Sequence, residues 1–233
     1  MTEAPNGKLT FLWPTAPFLQ DLVNFQGNVP ETCKWIDSLS EDGVIFWDVG
    51  PNIGVFSHYT ALRPNVTAQA FEPSAATFST LVRNIELNGF GPSISAYCVA
   101  LSDLTGWVSA IWKTLALATP PMLSQAVSGV TADGFATIFG APLPTHIKMD
   151  VDGIEEKIIL GGHRAFGAAR SVMVEVFSSA HEPLLYAVTA LGELGFFPDH
   201  ESNIRNSHNH LFVNTRTLLC DHVRGGRYRV RLR

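Results

Sequence analysis

From residue 44 onward, short apolar runs alternate with stretches whose apolar positions recur at helical spacing. This alternation predicts βαβ units and a mostly parallel sheet with helices on both faces, an α/β fold. Strands are expected near 44–49, 66–71, 94–99, 145–151, 171–177 and 210–215, and helices over 53–62, 75–88, 154–161 and 182–195. The helix over 75–88 is the clearest: Phe78, Leu81, Val82 and Ile85 share a face, and Gly89 follows as a left-handed C-cap would.

Two regions break the pattern. Pro5, Pro14 and Pro17 interrupt the N-terminal stretch, so 1–43 reads as a flank or lid rather than as a unit of the sheet. Residues 112–145 contain Pro120, Pro121, Pro142 and Pro144 and read as irregular. In an open α/β sheet the ligand lies beyond the carboxyl ends of the strands. A long apolar loop leaving such an end is therefore a candidate substrate cover, with a self-packed surface excursion as the alternative.

Composition narrows the class. A chain of 233 residues with 46% hydrophobic content buries enough surface to fold as a single domain without a covalent staple. Cys33, Cys98 and Cys220 are far apart and include no C-x-x-C pair, which argues against a disulfide framework or a zinc ribbon and suits a reducing compartment. The first twenty residues are neither a signal peptide nor a membrane span, so a cytoplasmic location is expected. Net charge is −5, yet the last ten residues, RGGRYRVRLR, hold five arginines and no acid. Tyr228, Val230 and Leu232 alternate with arginines at the period of an edge strand, a reading preferred to a nucleic-acid arm.

Candidate chemistry begins at VIFWDVGPNIGVF, residues 44–56. A parallel strand that turns into a helix aims the helix's free N–H groups at whatever lies beyond the strand, which favours an anionic ligand group. Dinucleotides and S-adenosylmethionine, with its free carboxylate, both use such a turn. A pyrophosphate needs G-x-G-x-x-G, but here the run is Gly50-Pro51-Asn52-Ile53-Gly54, with a side chain where phosphate oxygens would approach. Asn52 tolerates positive φ and adds an amide suited to an amino-acid moiety. Glu72 ends the second strand, where an acid can accept both hydroxyls of a ribose; its alternative role is as an acid complementing the next helix dipole.

These segments, DVGPNIGVFS, AFEPSAATFSTLVRNIELNGF, VALSD at 99–103 and HIKMDVDGIEEKIILGG at 146–162, resemble the FkbM-type methyltransferases, class I S-adenosylmethionine-dependent enzymes. The resemblance covers roughly residues 44–177. It implies a Rossmann-like methyltransferase domain over 44–233 with an antiparallel C-terminal strand, and S-adenosylmethionine as cofactor. It also implies cofactor contacts from Asp48, Gly50, Asn52, Gly54, Glu72 and Asp150, and an adenine edge read by Ala100, Leu101, Ser102 and Asp103. Pro51, Ala132 before Asp133, and Asp152 depart from the family pattern, and Asp152 shortens a carboxylate in the active site.

Methyl transfer is an in-line displacement dominated by positioning, with a general base for a hydroxyl acceptor. In HIKMDVDG, His146, Lys148, Asp150 and Asp152 alternate with Ile147, Met149 and Val151, placing a polar face in a strand expected to be buried. Lys148, Asp150 and Asp152 are therefore the catalytic candidates: Asp150 orients cofactor or acceptor, and Asp152 or a nearby histidine takes the proton. A purely structural Lys148–Asp150 pair is the alternative. Glu175 and His181 are expected to bind the acceptor. Oxygen ligands could hold a divalent ion there, but no metal is assigned. His208 and His210 read as surface polar residues, and Trp47, Phe56 and Phe71 as core.

The expected function is O-methylation of a small molecule, a sugar or polyketide-like metabolite; the acceptor class comes from the resemblance. Partners are that acceptor, with no membrane, no nucleic acid preferred, and a homo-oligomer left open. The competing readings are a non-catalytic S-adenosylmethionine-binding regulator or RNA- or partner-binding protein, and an NAD-dependent oxidoreductase, which Asn52 disfavours.

Overall fold

A computed structural model describes residues 2–4, 7–12, 24–39, 42–112, 123–151, 153–176, 181–199 and 208–216. Asp152, Cys220 and the arginine-rich tail lie outside the described residues.

The chain opens with a hairpin, β1 (Thr2–Ala4) and β2 (Gly7–Leu9), followed by α1 (Phe25–Asn28) and α2 (Pro30–Ser38). The units expected from residue 44 follow: β3 (Val44–Val49), α3 (Val55–Ala61), β4 (Val66–Phe71), α4 (Ala75–Leu87) and β5 (Ile94–Tyr97). An excursion comprises β6 (Ala100–Ser102), β7 (Gly106–Trp112), β8 (Leu123–Thr131) and α5 (Ala132–Ile138). The chain then returns through β9 (His146–Asp150), α6 (Glu155–Leu160), α7 (His163–Ala168) and β10 (Ser171–Glu175). The last elements are α8 (His181–Glu193), β11 (Phe196–Pro198) and β12 (Asn209–Asn214).

The central sheet has seven strands in the order β11-β12-β10-β9-β3-β4-β5. Strands β10, β9, β3, β4 and β5 are mutually parallel, and β12 runs antiparallel to β10 and β11. The fold is the expected mostly parallel α/β sheet with an antiparallel strand near its C-terminal edge. Because β3 lies between β4 and β9, successive units wind outward in opposite directions from it. In open α/β sheets that switch point, at the carboxyl ends of the strands, is where ligands bind.

Alternation along the strands divides the core in two. One face presents Phe46, Ala68, Ala70, Met173 and Leu211 to Phe25, Trp35, Ile36, Tyr59, Leu81 and Ile85 of α1 to α4. The other presents Trp47, Val49, Ile147, Met149, Val172, Val174 and Phe212 to residues of α5 to α8. Residues 25–39, expected as a flank, thus contribute buried side chains to the first of these clusters. Trp35 also donates from Nε1 to Ser171 Oγ at 2.9 Å, and Ser171 bonds His146 Nδ1 at 2.7 Å on the adjacent strand.

The structure corrects the expectation that 112–145 is irregular. Strands β7 and β8 pair antiparallel from Gly106↔Gly129 to Trp112↔Leu123, and β8 pairs parallel with β6 to form a separate three-stranded sheet. Such pairing joins residues distant in sequence, which local prolines and apolar runs do not reveal. No helix among the described residues is long and apolar enough to cross a membrane.

Replacing Trp35 with Phe keeps most of the buried ring and removes one donor, whereas Ala removes the packing as well. Urea denaturation should show a loss of about 1 kcal/mol for Trp35→Phe and about 3–5 kcal/mol for Trp35→Ala. Equal losses would mean that the indole N–H, not the ring, holds α2 on the sheet.

Candidate functional site

The site starts from a backbone constraint. Gly50, Asn52 and Gly54 all adopt positive φ, at 77°, 54° and 92°, so the chain leaving β3 turns sharply before α3 begins. A Cβ on Gly50 would overlap the carbonyl oxygen of Asp150, and one on Gly54 would overlap Leu81 and the His58 ring. Glycine is required at both positions by conformation and by space. Asparagine is among the side chains best able to adopt the remaining left-handed position.

Glu72 meets this turn from the next strand. Its Oε2 accepts a hydrogen bond from the Asn52 N–H at 3.1 Å and its Oε1 accepts one from the Ser74 N–H at 2.8 Å. The second bond is the local role foreseen for an acid preceding α4; the first carries the carboxylate into the turn. Burial raises its pKa to about 7, and the two backbone donors offset only part of that cost. Cys98, to which sequence alone assigns no role at the site, lies beside this group with Sγ 3.9 Å from the Pro73 carbonyl.

Across the switch point, register pairs Asp48 with Lys148 and Asp150 with Glu175. All four side chains therefore project from the sheet face that carries Phe46 and Met173. Lys148 is 1% exposed; its Nζ bonds Asp150 Oδ2 at 3.0 Å and lies 4.7 Å from the centre of the Phe56 ring. Burial works against its charge, but Asp150, Asp48 and Glu175 outweigh it and hold the lysine pKa above its ordinary value. Asp48 is fully buried and accepts from Ser57 Oγ at 2.6 Å, yet burial raises its pKa despite Lys148 and Ser57. Burial and the neighbouring Asp150 carboxylate raise Glu175 to about 7, with Lys148 opposing. One cation thus holds together carboxylates that repel one another.

The structure brings Asp48, Gly50, Asn52, Gly54, Glu72, Lys148, Asp150 and Glu175 to one end of the sheet. Ala100, Leu101 and Ser102 form β6, where Ser102 Oγ bonds Asp103 Oδ1 at 3.0 Å and the Ser102 carbonyl packs tightly against Gly161. His181 begins α8. The alternative of a Lys148–Asp150 ion pair is present as a contact. Trp47 and Phe71 are core, as expected, and Phe56 packs partly buried against the core cluster while also presenting its ring to the lysine. His208 and His210 also reach this end of the sheet, since Asn209 pairs with Glu175. His210 is half-buried, and burial and His208 lower its pKa.

Sequence reasoning missed Ser57 and the place of Phe56 in the site; both lie one helical turn beyond the glycines and reach back to Asp48 and Lys148. It also missed Glu155, 2% exposed, whose Oε1 accepts from the Gly153 N–H at 3.2 Å. Asp133 plays a structural part, since its two oxygens accept from the Arg164 and Ala165 N–H groups and cap α7. Among the described residues, no group of three or more His, Cys, Asp or Glu side chains is arranged to hold a metal ion.

Against known proteins, no family model matches the chain. It is 27% identical over 146 residues to hexuronic acid methyltransferase AglP of Haloferax volcanii, covering 60% of this chain and 59% of that protein. Among solved structures it is similar to precorrin-6y C5,15-methyltransferase from Geobacter metallireducens, with a TM-score of 0.51 and 15% identity over 86% of this chain and 91% of that one. It is also similar to magnesium protoporphyrin IX methyltransferase from Synechocystis with bound S-adenosylmethionine, with a TM-score of 0.52 and 13% identity over 87% and 86%. The fold is the Rossmann-like methyltransferase fold. The chain spans under two thirds of its curated relative's length, so the activity follows as a proposal from the residues of the site.

A carboxyl whose pKa is higher in the folded than in the unfolded state binds its proton more tightly when folded. Glu72 and Glu175, at about 7 against ordinary values of 4.5, therefore favour the folded state at low pH. That contribution is lost as pH rises from about 4.5 through about 7. Denaturation of wild type and Glu72→Gln across this range should show the wild type losing stability relative to the variant as pH rises. A constant difference would contradict the assignment.

Proposed function

We propose that this chain is an S-adenosylmethionine-dependent methyltransferase of the FkbM type that acts on a hydroxyl of a small polar acceptor, with a sugar the favoured class. The observation that carries the reading is the junction of Glu72 with the positive-φ turn. A buried carboxylate at the end of β4 is tied to the backbone of the residue that shapes the loop after β3. This arrangement suits one ligand bearing ribose hydroxyls at one end and an amino-acid group at the other. The positive-φ turn, whose glycines pack directly against Asp150, Leu81 and His58, and the Asn52 side chain in place of a bare phosphate approach fit that ligand better than a dinucleotide.

In this reading Glu72 accepts hydrogen bonds from the ribose hydroxyls, and the turn from Gly50 to Gly54 receives the methionine moiety. Ala100, Leu101, Ser102 and Asp103 remain the proposed adenine edge. When bound, S-adenosylmethionine supplies a methyl group made electrophilic by its positive sulfur. The chain's own contribution is alignment and proton removal. Lys148 fixes Asp150 at 3.0 Å, and Asp150 at the mouth of the crevice orients the acceptor hydroxyl. A base titrating near neutrality is best matched to deprotonating a hydroxyl, and Glu175, at about 7, meets that condition. Asp152, proposed for the same mouth, and His181 as an acceptor contact complete the set.

The relative's name, hexuronic acid methyltransferase, supports a sugar as acceptor. A reducing, cytoplasmic setting fits the unpaired Cys33 and Cys98.

Incubation with methyl-labelled S-adenosylmethionine and a panel of sugars, with NAD in a parallel reaction, tests the activity. Label should move to a sugar hydroxyl and no hydride chemistry should appear. Asp150→Asn should lower turnover by about 10²-fold through lost orientation of the acceptor while S-adenosylhomocysteine affinity stays within a few-fold. Turnover near the wild-type level would remove Asp150 from the mechanism. Affinity for S-adenosylhomocysteine should also rise as pH increases through about 7, where Glu72 ionises, and Glu72→Gln should abolish that rise.

A further inference from the structure

Residues Thr10 to Leu12 run extended along α4 in the opposite direction to the helix, held by two asparagines on its inner face. Asn88 Oδ1 accepts from the Thr10 N–H at 2.9 Å and its Nδ2 donates to the Thr10 carbonyl at 2.7 Å. Asn84 Oδ1 accepts from the Leu12 N–H at 2.6 Å and its Nδ2 lies 3.4 Å from the Leu12 carbonyl. The spacing explains the match. Four residues of helix rise about 6 Å and two residues of extended chain advance about 6.6 Å, so side-chain amides at i and i+4 pair with alternate backbone units as a neighbouring strand would. Leu9, fully buried, anchors the start of this strap.

Two separate threads lead from the strap to the turn after β3. In the first, the same Nδ2 of Asn84, a fully buried residue, donates to the Ile53 carbonyl at 3.1 Å. In the second, the Phe11 ring meets His58 edge-on at a centroid distance of 5.1 Å, and His58 Nδ1 lies 2.6 Å from the Gly54 carbonyl. A carbonyl only accepts, so the proton sits on Nδ1, and burial, which lowers the His58 pKa, keeps the ring neutral. Both threads end on carbonyls of the turn that Gly50, Asn52 and Gly54 shape.

We propose that Asn84, His58 and Phe11 are positioning residues through which docking of the strap and occupation of the cofactor turn are thermodynamically linked. The inference rests on the reading of that turn as an S-adenosylmethionine cradle. Linkage is reciprocal: a docked strap favours the bound shape of the turn, and a ligand in the turn slows undocking of the strap.

Asn88→Ala cuts the strap at Thr10 without removing a bond to the turn, and Phe11→Ala cuts the second thread. S-adenosylhomocysteine binding is measured by calorimetry and hydrogen exchange by mass spectrometry over residues 7–12, on the full chain and both variants. In the wild type the ligand should slow exchange of the Thr10 and Leu12 amides. Each variant should exchange faster there and bind the ligand at least about fivefold more weakly, within the usual range of coupling between sites. Faster exchange with affinity within twofold of wild type overturns the linkage and leaves the cofactor reading standing. Unchanged exchange in both variants overturns it too, because the strap would not depend on these side chains. No binding by the wild type removes the cofactor reading and the linkage with it.

Discussion

The site depends on one close approach: the backbone at Gly50 lies against the carbonyl of Asp150, where the chain leaving β3 meets the end of β9. These strands are neighbours at the point where the winding of the sheet reverses, so their ends border the same crevice. With no side chain at residue 50, the turn closes over the end of β9 and brings Asn52 within reach of Glu72. The acid at the end of β4 and the polar end of β9 thereby become walls of one cleft.

The second constraint is electrostatic. A lysine buried in a parallel sheet is costly unless its charge is answered, and Lys148 is answered by Asp150 at 3.0 Å, by Asp48 opposite it in register and by the face of Phe56. Burial, reinforced at Glu175 by the neighbouring Asp150 carboxylate, retains protons on the other acids: Glu72 and Glu175 both titrate near neutrality. In the proposed reading, Glu175 takes up the proton of the acceptor hydroxyl at physiological pH and Glu72 holds the ribose hydroxyls.

The outlines of the sheet were legible because its strands are continuous apolar runs ended by Gly, Pro or acids; the expected 44–49 and 66–71 have those bounds in the structure. Lys148 and Asp150 stood out as charges within such a run. Their surroundings did not, since Asp48 is one hundred positions from Lys148 and Phe56 lies on a different element. The excursion from 100 to 131 was illegible for the same reason: β6 and β7 are both paired to β8, across gaps that local pattern cannot bridge. Asn84 and Asn88 resembled ordinary polar residues near a helix end, because the partner that makes them inward-facing is a strap more than seventy positions earlier.

The most direct test is a crystal structure of the protein with S-adenosylhomocysteine. The account requires the ribose hydroxyls within hydrogen-bond distance of the Glu72 oxygens and the amino-acid end against the turn from Gly50 to Gly54, with the sulfur facing Asp150. A ligand bound elsewhere, or lying in the cleft with its ribose away from Glu72, would contradict it.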